Sequence, residues 1–245
     1  MIALLLSLAT SCAAPKSSAE TIPVPDNDLF PEPKSGISIR LEPGKDMKLD
    51  ELLAEFSKAT GLHLVITKEV ASILKQTPTG LTDSLEIPKG EVYPVVESLL
   101  MQNDVILIPL TDHEPRLVAV GSMQMSGQRG GSLRNSAVFV PVEAIPAYAR
   151  HPAILVTTVI NLAYTDVRTL SNSMRTMFTD ANTQQIIPVG NSNALILTGF
   201  GPSVASIVAM LKSVDDAARR DAEEAEKKAK EHPVPPAPIP AQPPR

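Results

Sequence analysis

One serine lies in a context typical of a nucleophile elbow. Residues 198–206 read T-G-F-G-P-S-V-A-S, and Ser203 follows a predicted strand and opens a predicted helix, as the nucleophile of an α/β hydrolase does. Such an enzyme needs an acid and a histidine later in the chain. Only Asp215, Asp216 and the acids of a charged run remain, with His232 in a proline-rich tail. We therefore predict that Ser203 marks a helix start and that the protein is not an enzyme.

The histidines do not form a metal-binding pattern. No two of His63, His113, His151 and His232 are four residues apart, and the chain has a single cysteine. His63 is predicted to face solvent from a strand, and His113 to lie in a turn. The G-Q-R-G-G-S segment at 127–132 could wrap an anion with its amides, but it lacks the Walker Lys-Ser/Thr pair and opens no helix. We predict a flexible linker there, and neither a metal nor a cofactor.

The single cysteine, Cys12, follows an apolar stretch that ends in small residues. L-A-T-S-C at 8–12 resembles the lipobox of bacterial lipoproteins, in which cleavage makes the cysteine the first residue and acylates it. Ala9 stands where a larger aliphatic residue is usual. A secretory peptide with an incidental cysteine is the alternative. Ala13 after the cysteine favours outer-membrane sorting, so we expect periplasmic localisation with a lipid anchor at Cys12.

Composition argues against nucleic-acid binding. The formal net charge is -5, and Trp is absent from a chain whose aromatic content is 3%. An acidic field repels polyphosphate, and few rings are available to stack on bases. We expect no nucleic-acid partner, and protein interfaces that are broad and aliphatic.

Apolar spacing in residues 37–121 predicts the order strand, helix, strand, strand, helix, strand, strand. Leu49, Leu52, Leu53, Phe56 and Ala59 recur at helical spacing, and Gly61 stands where a C-cap is expected. The second helix follows an apolar face at 92–100. Strands are predicted at 37–41, 62–67, 84–87, 105–110 and 116–120, with a loop between the second and third and a hairpin between the last two.

A second unit is predicted at 137–215. A strand at 137–142 and a short helical turn at 145–150 precede a strand-helix-strand-strand-helix series. Its elements are predicted at 156–162, 167–178, 185–189, 194–198 and 204–214. Thr165 and Asp166 are candidate capping residues, and G-N-S-N is a tight-turn sequence. The predicted fold class is α+β, with two small two-layer α/β domains.

The remaining segments divide the chain further. We predict a signal peptide at 1–12, a proline-rich tether at 13–36, a linker at 122–136, and a charged helix with a proline-rich tail at 216–245. Composition favours solvated linker for the tether and the end of the chain. The tail could instead dock on a partner in polyproline form.

The second unit has the order of a KH-like RNA-binding domain. KH modules clamp the backbone with a G-x-x-G loop between two helices, whereas here the first helix runs into T-D-A-N-T-Q-Q and then a strand. RNA binding is therefore the disfavoured alternative.

Three segments of the second unit resemble the amino-terminal repeat domain of bacterial secretins. They are V-T-T-V-I-N-L-A-Y-T-D-V-R-T-L from Val156, I-I-P-V-G-N-S-N-A-L-I-L-T-G, and the closing V-A-S-I-V-A-M-L-K-S-V-D. The first unit, with L-D-E-L-L-A-E-F-S-K-A-T-G-L-H-L-V-I, resembles the domain that precedes it in secretins and the signalling domain of TonB-dependent receptors. The segment from Asn193 to Gly199 is the most specific part.

The resemblance implies periplasmic ring domains that contact inner-membrane components of type II secretion, type III secretion or type IV pilus machines. After Asp216 no counterpart of the secretin channel region follows. We therefore expect an accessory lipoprotein that docks on a secretin, a split-gene partner or a truncated relative, able to form homo-oligomers. The alternative function is a periplasmic signalling or ligand-binding module, which the receptor-like first unit suggests.

Overall fold

A computed structural model describes residues 30–41, 46–126, 132–178, 180–190 and 192–231. We refer to the described residues up to 126 as the N-terminal part and to those from 132 onwards as the C-terminal part. The fold is α+β, as the sequence predicted. Within these ranges, none of the helices combines the length and the apolar character needed to cross a bilayer.

The N-terminal part has five strands in two sheets. Strands β1 and β3 form an antiparallel pair, and the second sheet has the order β2-β5-β4, with β2 parallel and β4 antiparallel to β5. The elements in chain order are β1 (Ile37–Ile39), α1 (Leu49–Thr60), β2 (His63–Ile66), α2 (Lys68–Gln76), β3 (Leu85–Ile87), α3 (Val92–Gln102), β4 (Val105–Pro109), β5 (Leu117–Ser122) and α4 (Met123–Ser126).

Helix α1 forms where the apolar spacing predicted it. Leu49, Leu52 and Phe56 are completely buried. Gly61 ends the helix with φ of 80°, in the left-handed region, and its N–H donates to Ser57 O at 2.8 Å. This conformation suits glycine because a side chain there would be strained.

Helix α2 was missed from the sequence, which predicted a loop between the second and third strands. Val70, Ile73 and Leu74 stand at helical spacing, so the sequence does contain the periodic signal, although only Val70 and Leu74 are buried. Thr67 caps its start by accepting a hydrogen bond from the Val70 N–H.

The C-terminal part contains one four-stranded sheet of order β6-β7-β9-β8. Strands β6 and β7 are parallel, and the other pairs are antiparallel. The elements are β6 (Val138–Phe139), α5 (Ile145–Tyr148), β7 (Leu155–Asn161), α6 (Val167–Met174), β8 (Gln185–Pro188), β9 (Ala194–Phe200) and α7 (Gly201–Glu231). The predicted strand-helix-strand-strand-helix series is present from β7 to α7. The strand predicted at 137–142 is paired only over the two residues of β6.

Helix α7 is longer than the sequence suggested, at 31 residues. The predicted charged helix continues α7 without a break, and residues 219–228 are exposed to solvent. Alanine and long polar residues are strong helix formers. Ion pairs one turn apart, such as Lys228–Glu224 at 2.9 Å, add a small stabilisation.

The two parts share one buried apolar cluster. Val105 and Leu107 from the N-terminal part and Ile154 and Val156 from the C-terminal part all belong to it. In addition, the Leu107 N–H donates to Ala153 O at 3.0 Å, so the backbone of β4 bonds directly to the segment before β7. The predicted domain limits at 37–121, 122–136 and 137–215 stay predictions.

Candidate interaction surfaces

Ser203 lies in the first turn of α7, as the helix-start interpretation predicted. It borders a cleft of about 390 Å³ whose described lining residues include neither a histidine nor an acid. They are Phe178, Gln184, Thr198, Gly199, Pro202, Ser203, Val204, Ser206 and Ile207. A serine hydroxyl needs a neighbouring base to become a nucleophile, and the described lining of this cleft supplies none.

The histidines of the described chain lie in three different environments. His63 is exposed on β2, and His113 is exposed in the turn between β4 and β5, beside Asp112 at 2.7 Å; both predictions are confirmed. His151 is largely buried and contacts Glu97. No group of three His, Cys, Asp or Glu residues in the described ranges could hold a metal ion.

Three of the predicted features fall wholly or partly outside the described residues. Cys12 and His232 are not described, so the predicted lipid anchor and the tail stay predictions. Of the glycine-rich segment, only Ser132 is described, and its hydroxyl donates to Asn182 O at 2.8 Å.

The sheet of the C-terminal part presents one face that neither α6 nor α7 covers. Alternate residues of β7 and β9, such as Val156 and Leu197, are buried towards these helices. On the other face Val159 lies opposite Ile196, which in turn lies opposite Ile187. Val159 is 41% and Ile187 38% exposed. These three aliphatic residues form a continuous line across three strands, which we call the sheet row.

Polar residues border the sheet row on the same face. The next register position contains Thr157 and Thr198, whose hydroxyls are 2.8 Å apart, and Gln185. Phe139 of β6 lies opposite Thr157 and is 61% exposed. The face is therefore an aliphatic strip whose margin contains polar side chains and one exposed aromatic ring, a mixture found in many protein interfaces.

A second apolar strip lies on one flank of α7. Val204, Val208 and Leu211 of this helix are buried. Ile207, Met210 and Val214 follow one another at spacings of three and four, and Met210 and Val214 are 37% and 39% exposed. We call these three residues the helix row.

The sheet row and the helix row belong to different layers of the C-terminal part. A contact between the sheet row of one copy and the helix row of another would be heterologous, because each copy contributes a different patch. Such contacts generate rings when the rotation between copies closes.

The N-terminal part also has an unpaired strand edge. Strand β2 is outermost in the order β2-β5-β4, and Val65 and Ile66 are 41% and 37% exposed. Exposed edges of this kind can accept an added strand from another chain.

No protein-family model matches the chain, and a search of curated proteins finds no match. Among solved structures, the chain is similar to the Klebsiella pneumoniae type II secretion system outer membrane complex of PulD, PulS and the PulC HR domain. The identity is 19% and the TM-score 0.48, over 71% of this chain and 26% of that one. The matched region therefore spans about a quarter of the length of the Klebsiella chain.

Two further structures are similar at lower TM-scores. The N-terminal domain of the secretin XcpQ from Pseudomonas aeruginosa matches with 16% identity and a TM-score of 0.24, over 74% of this chain and 64% of that one. The enterotoxigenic Escherichia coli GspC–GspD complex matches with 13% identity and a TM-score of 0.24, over 74% and 99%. The XcpQ structure is a secretin N-terminal domain, the kind of domain that the motifs of this sequence resemble.

Proposed function

We propose that this protein is a non-enzymatic assembly module that acts in the periplasm by binding other components of a secretin-type secretion or pilus system. The observation that supports it best is the pair of apolar strips on the C-terminal part, the sheet row and the helix row. The motifs quoted from residues 156–215 support the choice of system. The proposal includes an acylated Cys12 that holds the protein at the outer membrane, on the strength of the sequence at 8–12.

The size of the two rows indicates how such a module would behave. Complete burial of an aliphatic side chain is worth about 1.5–3 kcal/mol. Four of the six side chains, Val159, Ile187, Met210 and Val214, are each about 40% exposed, so burying them in one row-to-row contact gains about 2–5 kcal/mol. Association costs at least about 4 kcal/mol in lost translation and rotation, so an isolated pair of copies would be weakly bound. Repeated contacts in a ring, or a larger partner, would be needed for a stable complex.

The test is capture of the protein with its neighbours from the native envelope. The full chain carries an affinity tag after Arg245, the envelope is crosslinked, and the captured proteins are identified by mass spectrometry. We expect a secretin or inner-membrane secretion or pilus components. Recovery of only the protein itself, or of a receptor, would refute the secretion role.

Substitutions connect the capture to the proposed surface. Val159→Lys places a charge in the sheet row and should abolish the capture, because an unpaired charge is costly to bury. Asn172→Lys, at an exposed position of α6, adds the same charge outside both rows and should have no effect. Equal capture by the two variants would refute the role of the sheet row. If the N-terminal part alone captured the partner, the result would favour the signalling or ligand-binding alternative. The exposed edge of β2 would then be the expected contact.

A further inference from the structure

A buried acid links the two parts of the molecule. Glu97 of α3 has no exposed side-chain surface, and its Oε1 lies 2.8 Å from His151 Nδ1. Its other oxygen, Oε2, accepts a hydrogen bond from the Ala153 N–H at 3.1 Å. Both partners belong to the C-terminal part, so one carboxyl group of the N-terminal part is bonded twice across the boundary. A buried carboxyl group that lost these partners would be strongly destabilising.

Two other contacts accompany this link. The Leu107 N–H donates to Ala153 O, immediately beside the contact to Glu97. Arg150 donates to Gly90 O at 2.7 Å and to Glu91 Oε1 at 2.8 Å, although both side chains of the ion pair are more than half exposed. Because exposed ion pairs contribute little, the buried contacts of Glu97 and Leu107, together with the shared apolar cluster, hold the junction.

The first described residues of the chain lie across this junction. The Phe30 ring stacks on the His151 ring, with centroids 4.6 Å apart and an interplanar angle of 23°. Phe30 also meets Tyr93 edge-on at 5.5 Å, and the Tyr93 hydroxyl donates to Pro31 O at 2.8 Å. Glu32 pairs with Lys89 at 2.9 Å. We call residues 30–32 the strap.

The strap contacts both sides of the boundary at once. Tyr93 and Lys89 belong to the N-terminal part, whereas His151 belongs to the C-terminal part and is itself the partner of Glu97. Phe30 therefore covers the imidazole whose other contact is the buried carboxyl group. Removing Phe30 would open the imidazole to water, which competes for its hydrogen bonds.

We propose that the strap is a conformational latch: while Phe30 covers His151 the two parts are held in one arrangement, and displacing the strap releases the Glu97–His151 contact so that they can reorient. The strap lies within the segment predicted to be the tether, residues 13–36. A pull on that segment, or a partner bound to it, would then act on the relative orientation of the two parts, which a ring-forming module must control.

Hydrogen exchange of the full chain tests the latch. The Ala153 and Leu107 amides report on the junction. The Leu110 amide, which donates to Leu117 O, and the Val140 amide, which donates to Thr157 O, report on the two parts separately. Phe30→Ala should raise exchange at the first two amides roughly tenfold, as expected for the loss of two aromatic contacts. Exchange at the Leu110 and Val140 amides should stay within twofold of the wild-type rate. The matched control is Phe139→Ala, which removes an exposed ring from β6.

A distance measurement tests the reorientation itself. Nitroxides on Lys75→Cys in α2 and Ser173→Cys in α6, in a Cys12→Ser background, report the separation of the two parts by pulsed electron resonance. Phe30→Ala should broaden the distance distribution, and Phe139→Ala should not. Unchanged exchange at Ala153 and Leu107, an equal rise at all four amides, or an unchanged distance distribution would each overturn the latch.

Discussion

Replacing Glu97 by alanine tests whether the buried acid holds the two parts together. The change removes the acceptor of two hydrogen bonds and leaves the Ala153 N–H and one nitrogen of His151 without a partner. An unsatisfied buried donor costs about 1–3 kcal/mol. Because the His151 side chain is 16% exposed, its ring can bind water, which offsets part of the cost of the lost hydrogen bond. We expect the free energy of unfolding to fall by about 3 kcal/mol, the lower end of what breaking a buried pair costs.

Glu97→Gln separates the hydrogen bonds from the charge. The glutamine oxygen can still accept from the Ala153 N–H, and its amide can donate to His151 Nδ1. We expect a loss of less than about 1 kcal/mol at neutral pH, because both contacts survive in altered form.

The difference in stability between the wild type and Glu97→Gln should depend on pH with a defined sign. Burial raises the pKa of Glu97 above its ordinary value of 4.5, although the hydrogen bond from His151, its charge and the Ala153 N–H oppose the shift. A raised pKa means that the folded protein binds the proton more tightly than the unfolded chain does. The stabilisation that comes from this tighter proton binding is therefore fully present below the pKa of Glu97 in the unfolded chain, and it is lost as pH rises through the pKa of Glu97 in the folded protein. The stability of the wild type relative to Glu97→Gln should decline as pH increases from about 4.5.

Urea denaturation measures all three proteins. With an m-value of about 2 kcal/mol per molar, a loss of 3 kcal/mol lowers the midpoint by about 1.5 M. A shift of the midpoint by less than about 0.5 M in Glu97→Ala would refute the role of Glu97 in holding the two parts together. So would a Glu97→Gln loss as large as that of Glu97→Ala, or a stability difference between wild type and Glu97→Gln that did not vary with pH.

Three further predictions concern other positions. A Cβ on Gly201 would overlap the carbonyl oxygens of Tyr148 and His151, so Gly201→Ala should lower the urea midpoint strongly, whereas Gly90→Ala meets no atom within 4 Å and should change it little. Asp215 accepts hydrogen bonds from the Ala163 and Tyr164 N–H groups and from the Thr165 hydroxyl. Desolvation raises the pKa of Asp215, but the hydrogen bonds outweigh it and the net effect is a lowered pKa. Asp215→Ala should therefore cost about 1 kcal/mol at pH 7, and less as pH falls through the folded pKa, which urea midpoints at several pH values will show. Cys12→Ser should leave circular dichroism unchanged but move the protein out of the membrane fraction; unchanged retention there would contradict lipidation.

Local patterns in the sequence were enough to predict the elements with strong periodicity. Leu49, Leu52 and Phe56 with Gly61 specified α1 and its end, and Asp166 was recognised as the cap of α6, where it accepts from the Arg168 N–H. Spacing and capping are properties of neighbouring residues, so they can be read without a structure. Helix α2 was missed although Thr67 caps it and Val70, Ile73 and Leu74 stand at helical spacing, because its nine residues contain only one apolar turn.

The interaction surfaces were only partly accessible from the sequence. The order of predicted strands and helices implied a two-layer unit, with the helices packed on one face of a small sheet. It could not show that Val159, Ile196 and Ile187 lie in one line, because that depends on the register of three strands.

The junction was decided by tertiary structure alone. Glu97 and His151 are 54 residues apart, and Phe30 lies more than 60 residues before Tyr93, so no spacing rule connects them. In the sequence Glu97 looks like a surface residue of an amphipathic helix, and His151 like a loop residue. They become partners because the packing of α3 against the segment before β7 removes water from both. A buried carboxyl group must then find its hydrogen bonds within the protein, wherever the chain provides them.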